Sequence, residues 1–184
     1  MKFYDDKFKV PDPPKDGLRI MSVDVALMVS TKKKQNDASA LYINDISPVR
    51  DSSYQSNFVY GETFEGLTTD ILGTIIMRYF DFYKCDYLVL DCNGVGMGCF
   101  DFIIKDQYDS ETGETYQAMT CVNDPDMASR CKVNGARKVI YSVKASADFN
   151  NNICLLLRNG ILNGKIEFLI PEMDADTYLS SKYK

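Results

Sequence analysis

The sequence predicts an α/β chain built on a mixed sheet, an antiparallel three-strand meander followed by parallel strands, with flanking helices. Three strand-like segments, at residues 19–26, 38–46 and 55–64, follow one another with no helical pattern between them. After them, helical and strand-like periodicities alternate, which is the signature of crossover units. The chain has 184 residues, 45% of them hydrophobic and 26% charged, enough for one sizeable core.

Each element has its own signal. Residues 1–17 carry Pro11, Pro13 and Pro14 and then Lys15-Asp16-Gly17, so they are expected to be a linker or tail, with the domain over 18–184. The first strand is apolar except near its end, at Asp24, and a polar tip of Lys32, Lys33, Lys34, Gln35, Asn36 and Asp37 follows. In the third strand Phe58, Tyr60, Glu62 and Phe64 alternate with other residues. A helix over 68–83 is predicted because Leu67, Ile71, Leu72, Ile75, Ile76, Tyr79 and Phe80 fall on one face. The strand at 86–91 is a short apolar run that ends in Asp91, and Gly94, Gly96 and Gly98 come directly after it. A helix through 100–106, a turn at 109–113 and a strand near 116–122 come next. Residues 123–144 are harder to assign beyond a strand near 138–143. A helix over 147–159 presents Phe149, Ile153, Leu156 and Leu157, with Gly160 as its stop. Residues 165–170 read as extended chain ended by Pro171, with a last helix from about 174.

This order has a topological consequence. The crossover after the third strand should lay the 86–91 strand parallel to the first strand and beside it. Asp24 and Asp91 then reach the same edge of neighbouring central strands.

Composition excludes several chemistries. The chain has no histidine, which removes Ser-His-Asp and Cys-His catalysis and histidine-bound zinc. Its six cysteines form no C-x-x-C pair, and they are expected to be buried free thiols in a reducing cytosol. No secretory signal pattern opens the chain, and no apolar run approaches the ~18 residues of a membrane span. The net charge of -5 argues against a protein coated in basic residues, though not against a local basic face. No G-x-x-x-x-G-K-[ST] loop occurs.

Asp24 and Asp91 are the candidate catalytic and metal-binding residues. A lone carboxylate at the end of an apolar strand either caps a turn or needs a cation. Two that point at one spot repel unless a metal neutralises them, and such oxygen-rich sites suit Mg²⁺ or Mn²⁺. A pair of such ions ~3.5–4 Å apart can activate water and stabilise the leaving oxygen in phosphodiester cleavage. Asp37, across the hairpin from Asp24, is a weaker third ligand; turn chemistry is its alternative. Gly94-x-Gly96-x-Gly98 misses the dinucleotide fingerprint, because Cys99 stands where the last glycine belongs. Lys32, Lys33 and Lys34, and the acid-free stretch with Arg130, Lys132, Arg137, Lys138 and Lys144, are candidates for DNA-phosphate contact.

Ser22-Val23-Asp24-Val25-Ala26 with Asn36-Asp37-Ala38 resembles the first acidic motif of the nuclease domain of phage terminase large subunits. Leu88-Val89-Leu90-Asp91-Cys92-Asn93-Gly94-Val95-Gly96 looks like the second. Tyr141-Ser142-Val143-Lys144-Ala145, Asp148-Phe149-Asn150, Leu157-Arg158 and Gly164-Lys165-Ile166 look like the later part of that domain, so the similarity covers roughly residues 18–180. The resemblance implies a ribonuclease H-like fold and a metal-dependent endonuclease of a phage or prophage. Such an enzyme cuts concatemeric double-stranded DNA during genome packaging, with Mg²⁺ or Mn²⁺ in a two-ion site on Asp24 and Asp91. It implies an upstream ATPase domain, a terminase small subunit and a portal as partners, no membrane, and the cytoplasm of the bacterial host. The family's third essential acid lies on a late Lys-Asp-Arg-like stretch that is not found before Lys184; Asp174 and Asp176 are the nearest late acids. Truncation before the last ligand is therefore expected, with Asp174 or Asp176 as the alternative. The competing reading is a catalytically incomplete DNA- or partner-binding module of the same fold.

Overall fold

The computed structural model of the protein describes residues 12–26, 38–49 and 53–168. Its first three strands, β1 (Leu18–Asp24), β2 (Ala38–Val49) and β3 (Ser53–Glu65), form the antiparallel meander. Helix α1 (Thr69–Phe82) then carries the chain to β4 (Tyr87–Asp91), and α2 (Val95–Ile103) follows. A small hairpin, β5 (Gln107–Tyr108) and β6 (Thr115–Tyr116), precedes β7 (Met119–Cys121). The rest comprises α3 (Pro125–Arg130), β8 (Arg137–Val143), α4 (Ala147–Leu162) and β9 (Ile166–Glu167).

The seven-stranded sheet has the order β7-β8-β4-β1-β2-β3-β9. β4 lies beside β1 and parallel to it, as the crossover argument requires. β8 is parallel to β4, β7 to β8, and β9 to β3, which leaves β2 as the one strand running the other way. The C-terminal ends of β7, β8, β4 and β1 therefore share one edge.

Period-two alternation sends Met21, Val23, Leu41, Ile43, Leu88, Leu90 and Ile140 into the core. Leu72, Ile76, Met77 and Phe80 of α1 and Cys99, Phe100 and Ile103 of α2 complete that core. Each buried side chain of this size stabilises the fold by about 1.5–3 kcal/mol. The two helices approach closely at Gly73, where a β-carbon would stand 2.5 Å from Phe102 Cδ1.

The end of the sheet away from Asp24 and Asp91 is locked by Arg19, only 1% exposed. Its Nε and Nη2 donate to Asp45 Oδ1 and Oδ2 at 2.7 and 2.8 Å, and Nη1 donates to the Tyr83 carbonyl at 3.0 Å. Its backbone N–H donates to Asp86 Oδ2 at 2.8 Å. One side chain thus joins β1, β2 and the end of α1, while its backbone holds the entry to β4.

Several boundaries differ from the sequence expectation. Helix α2 begins at Val95 and takes in Gly96 and Gly98, so the glycine-rich stretch is the first turn of a helix rather than a free loop. Residues 115–116 pair with 107–108, which leaves only 119–121 for the sheet. Helix α3 lies in the stretch that was hard to assign: Asp124 caps it and Pro125 opens it. Helix α4 runs past Gly160 to Leu162, because Gly164, at φ +63°, is the left-handed residue that ends it. Gly160 instead admits Ile166, whose Cδ1 would lie 2.8 Å from a β-carbon there. The apolar residues of α4 remain exposed, and none of its side chains is buried. The strand expected over 165–170 is seen at 166–167, and the expected last helix lies outside the described residues. No helix among the described residues is long and apolar enough to cross a membrane.

Candidate metal centre

Ile20 to Val23 of β1 pair in parallel with Tyr87 to Leu90 of β4, Val23 opposite Leu90. The next residue on each strand is an aspartate. Val23 and Leu90 are both buried in the core, so alternation turns Asp24 and Asp91 to the other face of the sheet. Neighbouring strands are ~4.8 Å apart, so the two aspartates occupy adjacent positions at the sheet's open edge. Asp24 is exposed and Asp91 half-buried. Ala40 of β2 flanks Asp24 and Val143 of β8 flanks Asp91, so both acids sit on central strands.

The chain around Asp91 is fixed tightly. The Asn93 N–H donates to Asp91 Oδ1 at 2.9 Å, and the Cys92 N–H donates to the Val143 carbonyl at 2.8 Å. Asn93 Nδ2 reaches the Ala145 carbonyl at 3.3 Å, tying the β4–α2 turn to the end of β8. The Gly96 N–H donates to the Asn93 carbonyl at 3.0 Å, and a β-carbon at 96 would overlap the Asp91 carbonyl oxygen. Gly94, at φ +53°, makes the turn between them. Gly96 therefore serves close backbone packing under Asp91, Gly94 the turn, and Gly98 faces Thr69.

Other groups nearby are directed elsewhere. Cys92 is buried on the core side with Leu90, and burial pushes its thiol above the usual range. Glu62 of β3 pairs with Leu41 and shares its core-side face, where it accepts from Tyr60 Oη at 2.5 Å and Tyr79 Oη at 3.0 Å. Among the described residues no group of three or more histidine, cysteine or acidic side chains could by itself hold a metal ion. A pair of carboxylates still fits a hard divalent cation, because Mg²⁺ is commonly held by one or two carboxylates with water and substrate phosphate filling its remaining positions.

The basic candidates are scattered. Arg130 pairs with Asp101, Nε to Oδ1 at 2.8 Å and Nη2 to Oδ2 at 2.5 Å. Lys132 Nζ donates to the Ser129 carbonyl at 2.5 Å. Arg137 opens β8 at the end away from Asp91, pairs with Asp81 at 2.6 Å and lies over the Phe80 ring. Lys138 is exposed next to it. Lys144 alone of this group stands at the edge with Asp91: it directly follows Val143 and lies 3.7 Å from Asp124. Lys32, Lys33, Lys34 and Asp37 lie outside the described residues.

Two site-edge residues were given no role of their own in the sequence argument. Asn93 was visible as Asp-Cys-Asn-Gly, a pattern that favours an Asx turn. Asn123 accepts from the Ser142 N–H and donates to the Ser142 carbonyl, both at 2.9 Å, standing in for the next residue of β7. A bond between positions 123 and 142 leaves no local pattern to find.

No protein-family model matches the sequence, and no curated protein matches it. Among solved structures the fold is similar to the large terminase nuclease from thermophilic phage G20c with bound magnesium, at a TM-score of 0.51 and 14% identity. That match covers 85% of this chain and 60% of the other. Structures of that nuclease with bound cobalt, and with no metal named, align at TM-scores of 0.47 and 0.49, with 15% and 13% identity. These cover 85% and 88% of this chain and 60% and 63% of the others. The chain thus spans about 60% of the length of the first of these nuclease structures. Its mixed sheet with flanking helices has the ribonuclease H-like fold, which it shares with that phage nuclease.

Proposed function

We propose that this domain is a divalent-metal-dependent DNA nuclease of a phage-type packaging terminase, and that Asp24 and Asp91 are its central metal ligands. The observation that carries the proposal is the β1–β4 register, which sets two carboxylates on one face at the open ends of neighbouring parallel strands. Placing two like charges there is unfavourable without a cation between them. The metal bound by the similar nuclease supports the same use here. When bound, Mg²⁺ or Mn²⁺ supplies Lewis-acid polarisation of the phosphodiester and an activated water.

The chain's own residues do the rest. Asp24 and Asp91 would hold the cation. Asn93 and Gly96 fix the carboxylate and backbone of Asp91. Lys144 is the candidate for the phosphate beside the cut, since it stands at the same edge. Double-stranded DNA is the proposed substrate, with the packaging ATPase, small subunit and portal as partners of the whole protein.

A second reading is favoured by one observation. Among the described residues no group of three or more ligating side chains comes together, which suits a DNA-binding module of the same fold that does not cut. Incubation with supercoiled plasmid and Mn²⁺ or Mg²⁺ separates the two. Nicking or linearisation that Asp24→Asn and Asp91→Asn both abolish supports the nuclease. Metal-independent retention of the plasmid without cleavage supports the binding module.

A further inference from the structure

We infer that Asn93 is the positioning residue of the site: it sets the orientation of the Asp91 carboxylate and thereby its affinity for the divalent cation. The inference rests on the metal-nuclease reading and assigns a role to a residue outside the acid pair. Asn93 touches both parts that must be held relative to each other. Its N–H donates to Asp91 Oδ1 at 2.9 Å, which leaves Oδ2 as the oxygen to offer to a cation. Its side-chain amide donates to the Ala145 carbonyl at 3.3 Å, beyond the last β4–β8 ladder pair, Asp91 with Val143.

That second bond is the tie between the Asn93 side chain and the segment after β8. Without it, the turn that presents the N–H to Asp91 would rest on the Cys92 N–H bond to Val143 on one side and on the Gly96 N–H bond to the Asn93 carbonyl, across the left-handed Gly94, on the other. Asn is suited to this position for a physical reason. Its short amide can donate to a carbonyl across the strand gap while its backbone closes the Asx turn on the preceding aspartate. Aspartate would lose the donor and place a carboxylate against the Ala145 carbonyl. Alanine would lose the tether and leave the local backbone hydrogen bonds chemically possible. Groups that orient a metal ligand typically carry 10–100-fold in metal affinity or activity.

The test is a Mn²⁺ titration of the full chain, followed by the electron paramagnetic resonance signal of free Mn²⁺. Wild type, Asn93→Ala, Asn93→Asp and Asp91→Asn are compared, each with a thermal melt. The expected result is a roughly 10-fold or greater loss of Mn²⁺ affinity in Asn93→Ala, with the melting transition close to wild type. Asn93→Asp should not restore wild-type affinity. Where cleavage is measurable, kcat falls and KM for DNA is unchanged. Wild-type affinity in Asn93→Ala would overturn the inference while leaving the acid pair standing. A much lower melting transition in Asn93→Ala would make its role structural and overturn the inference too. Mn²⁺ affinity that is the same in wild type and Asp91→Asn would instead remove the nuclease reading, and this inference with it.

Discussion

Gly96 lies directly beneath the Asp91 carbonyl, in space that no side chain can share. Helix α2 can therefore start immediately behind the site only because position 96 lacks a β-carbon. Gly96→Ala forces the strand end and the helix apart, and backbone cannot yield as a flexible side chain does. The expected cost is about 1–3 kcal/mol of stability, as for other overpacked sites. The same displacement moves Asp91, so Mn²⁺-dependent cleavage should fall further than stability alone explains. Urea unfolding and a plasmid assay on the one variant check both parts.

Arg19 and Asp45 hold the opposite end of the sheet. Arg19→Met keeps much of the apolar stem but leaves the Asp45 carboxylate buried without its partner. Breaking one side of such a pair costs about 3–5 kcal/mol. Replacing both residues, Arg19→Met with Asp45→Leu, should recover a large part of that loss. Denaturant midpoints of the two single variants and the double variant give the coupling directly.

Substitutions at Lys144 and Arg137 should separate DNA contact from stability. Lys144 is mostly exposed and stands at the edge with Asp91, so Lys144→Ala should weaken DNA binding and reduce its salt dependence by about one counterion. Arg137 is paired with Asp81 at the far end of β8, so Arg137→Ala should lower the melting temperature and leave the DNA salt slope unchanged. Fluorescence-anisotropy titrations at several salt concentrations measure both slopes.

The cysteines report on the core. Burial pushes the Cys85 and Cys99 thiols up to about 12, so their thiolates form only near and above that pH. At pH 8 both are protonated as well as shielded. Iodoacetamide should label Cys154, exposed on α4, well before either of them, and should reach all six only after unfolding. Mass spectrometry of timed reactions resolves the order.

The parts of the fold that were legible in the sequence are those written as local pattern. Alternation and helical periodicity mark β1, β4 and α1, and handed crossovers then make β4 the parallel neighbour of β1. That is why the alignment of Asp24 with Asp91 followed from two short apolar runs. The parts that were not legible are relations between distant residues. Arg19 looks like an ordinary polar strand start until Asp45 and Tyr83 are brought to it. Gly160 and Gly164 look equally suited to end α4, and only the chain's return to Ile166 separates them. The basic stretch read as one patch because its acids are remote in sequence; Asp81 and Asp101 neutralise Arg137 and Arg130 from helices α1 and α2. Cap and proline signals for α3 were present at Asp124 and Pro125, but a helix of six residues is too short to show periodicity.

The central claim is that Asp24 and Asp91 jointly hold a divalent cation. Paramagnetic Mn²⁺ broadens nearby amide resonances, and a chain of 20.8 kDa is well suited to that measurement. Two-dimensional ¹⁵N spectra recorded at increasing substoichiometric Mn²⁺ should lose the amides of Asp24, Asp91, Cys92 and Asn93 first. In Asp91→Asn that local loss should disappear at the same Mn²⁺ concentrations. Broadening centred elsewhere on the protein, or unchanged by Asp91→Asn, would contradict the account.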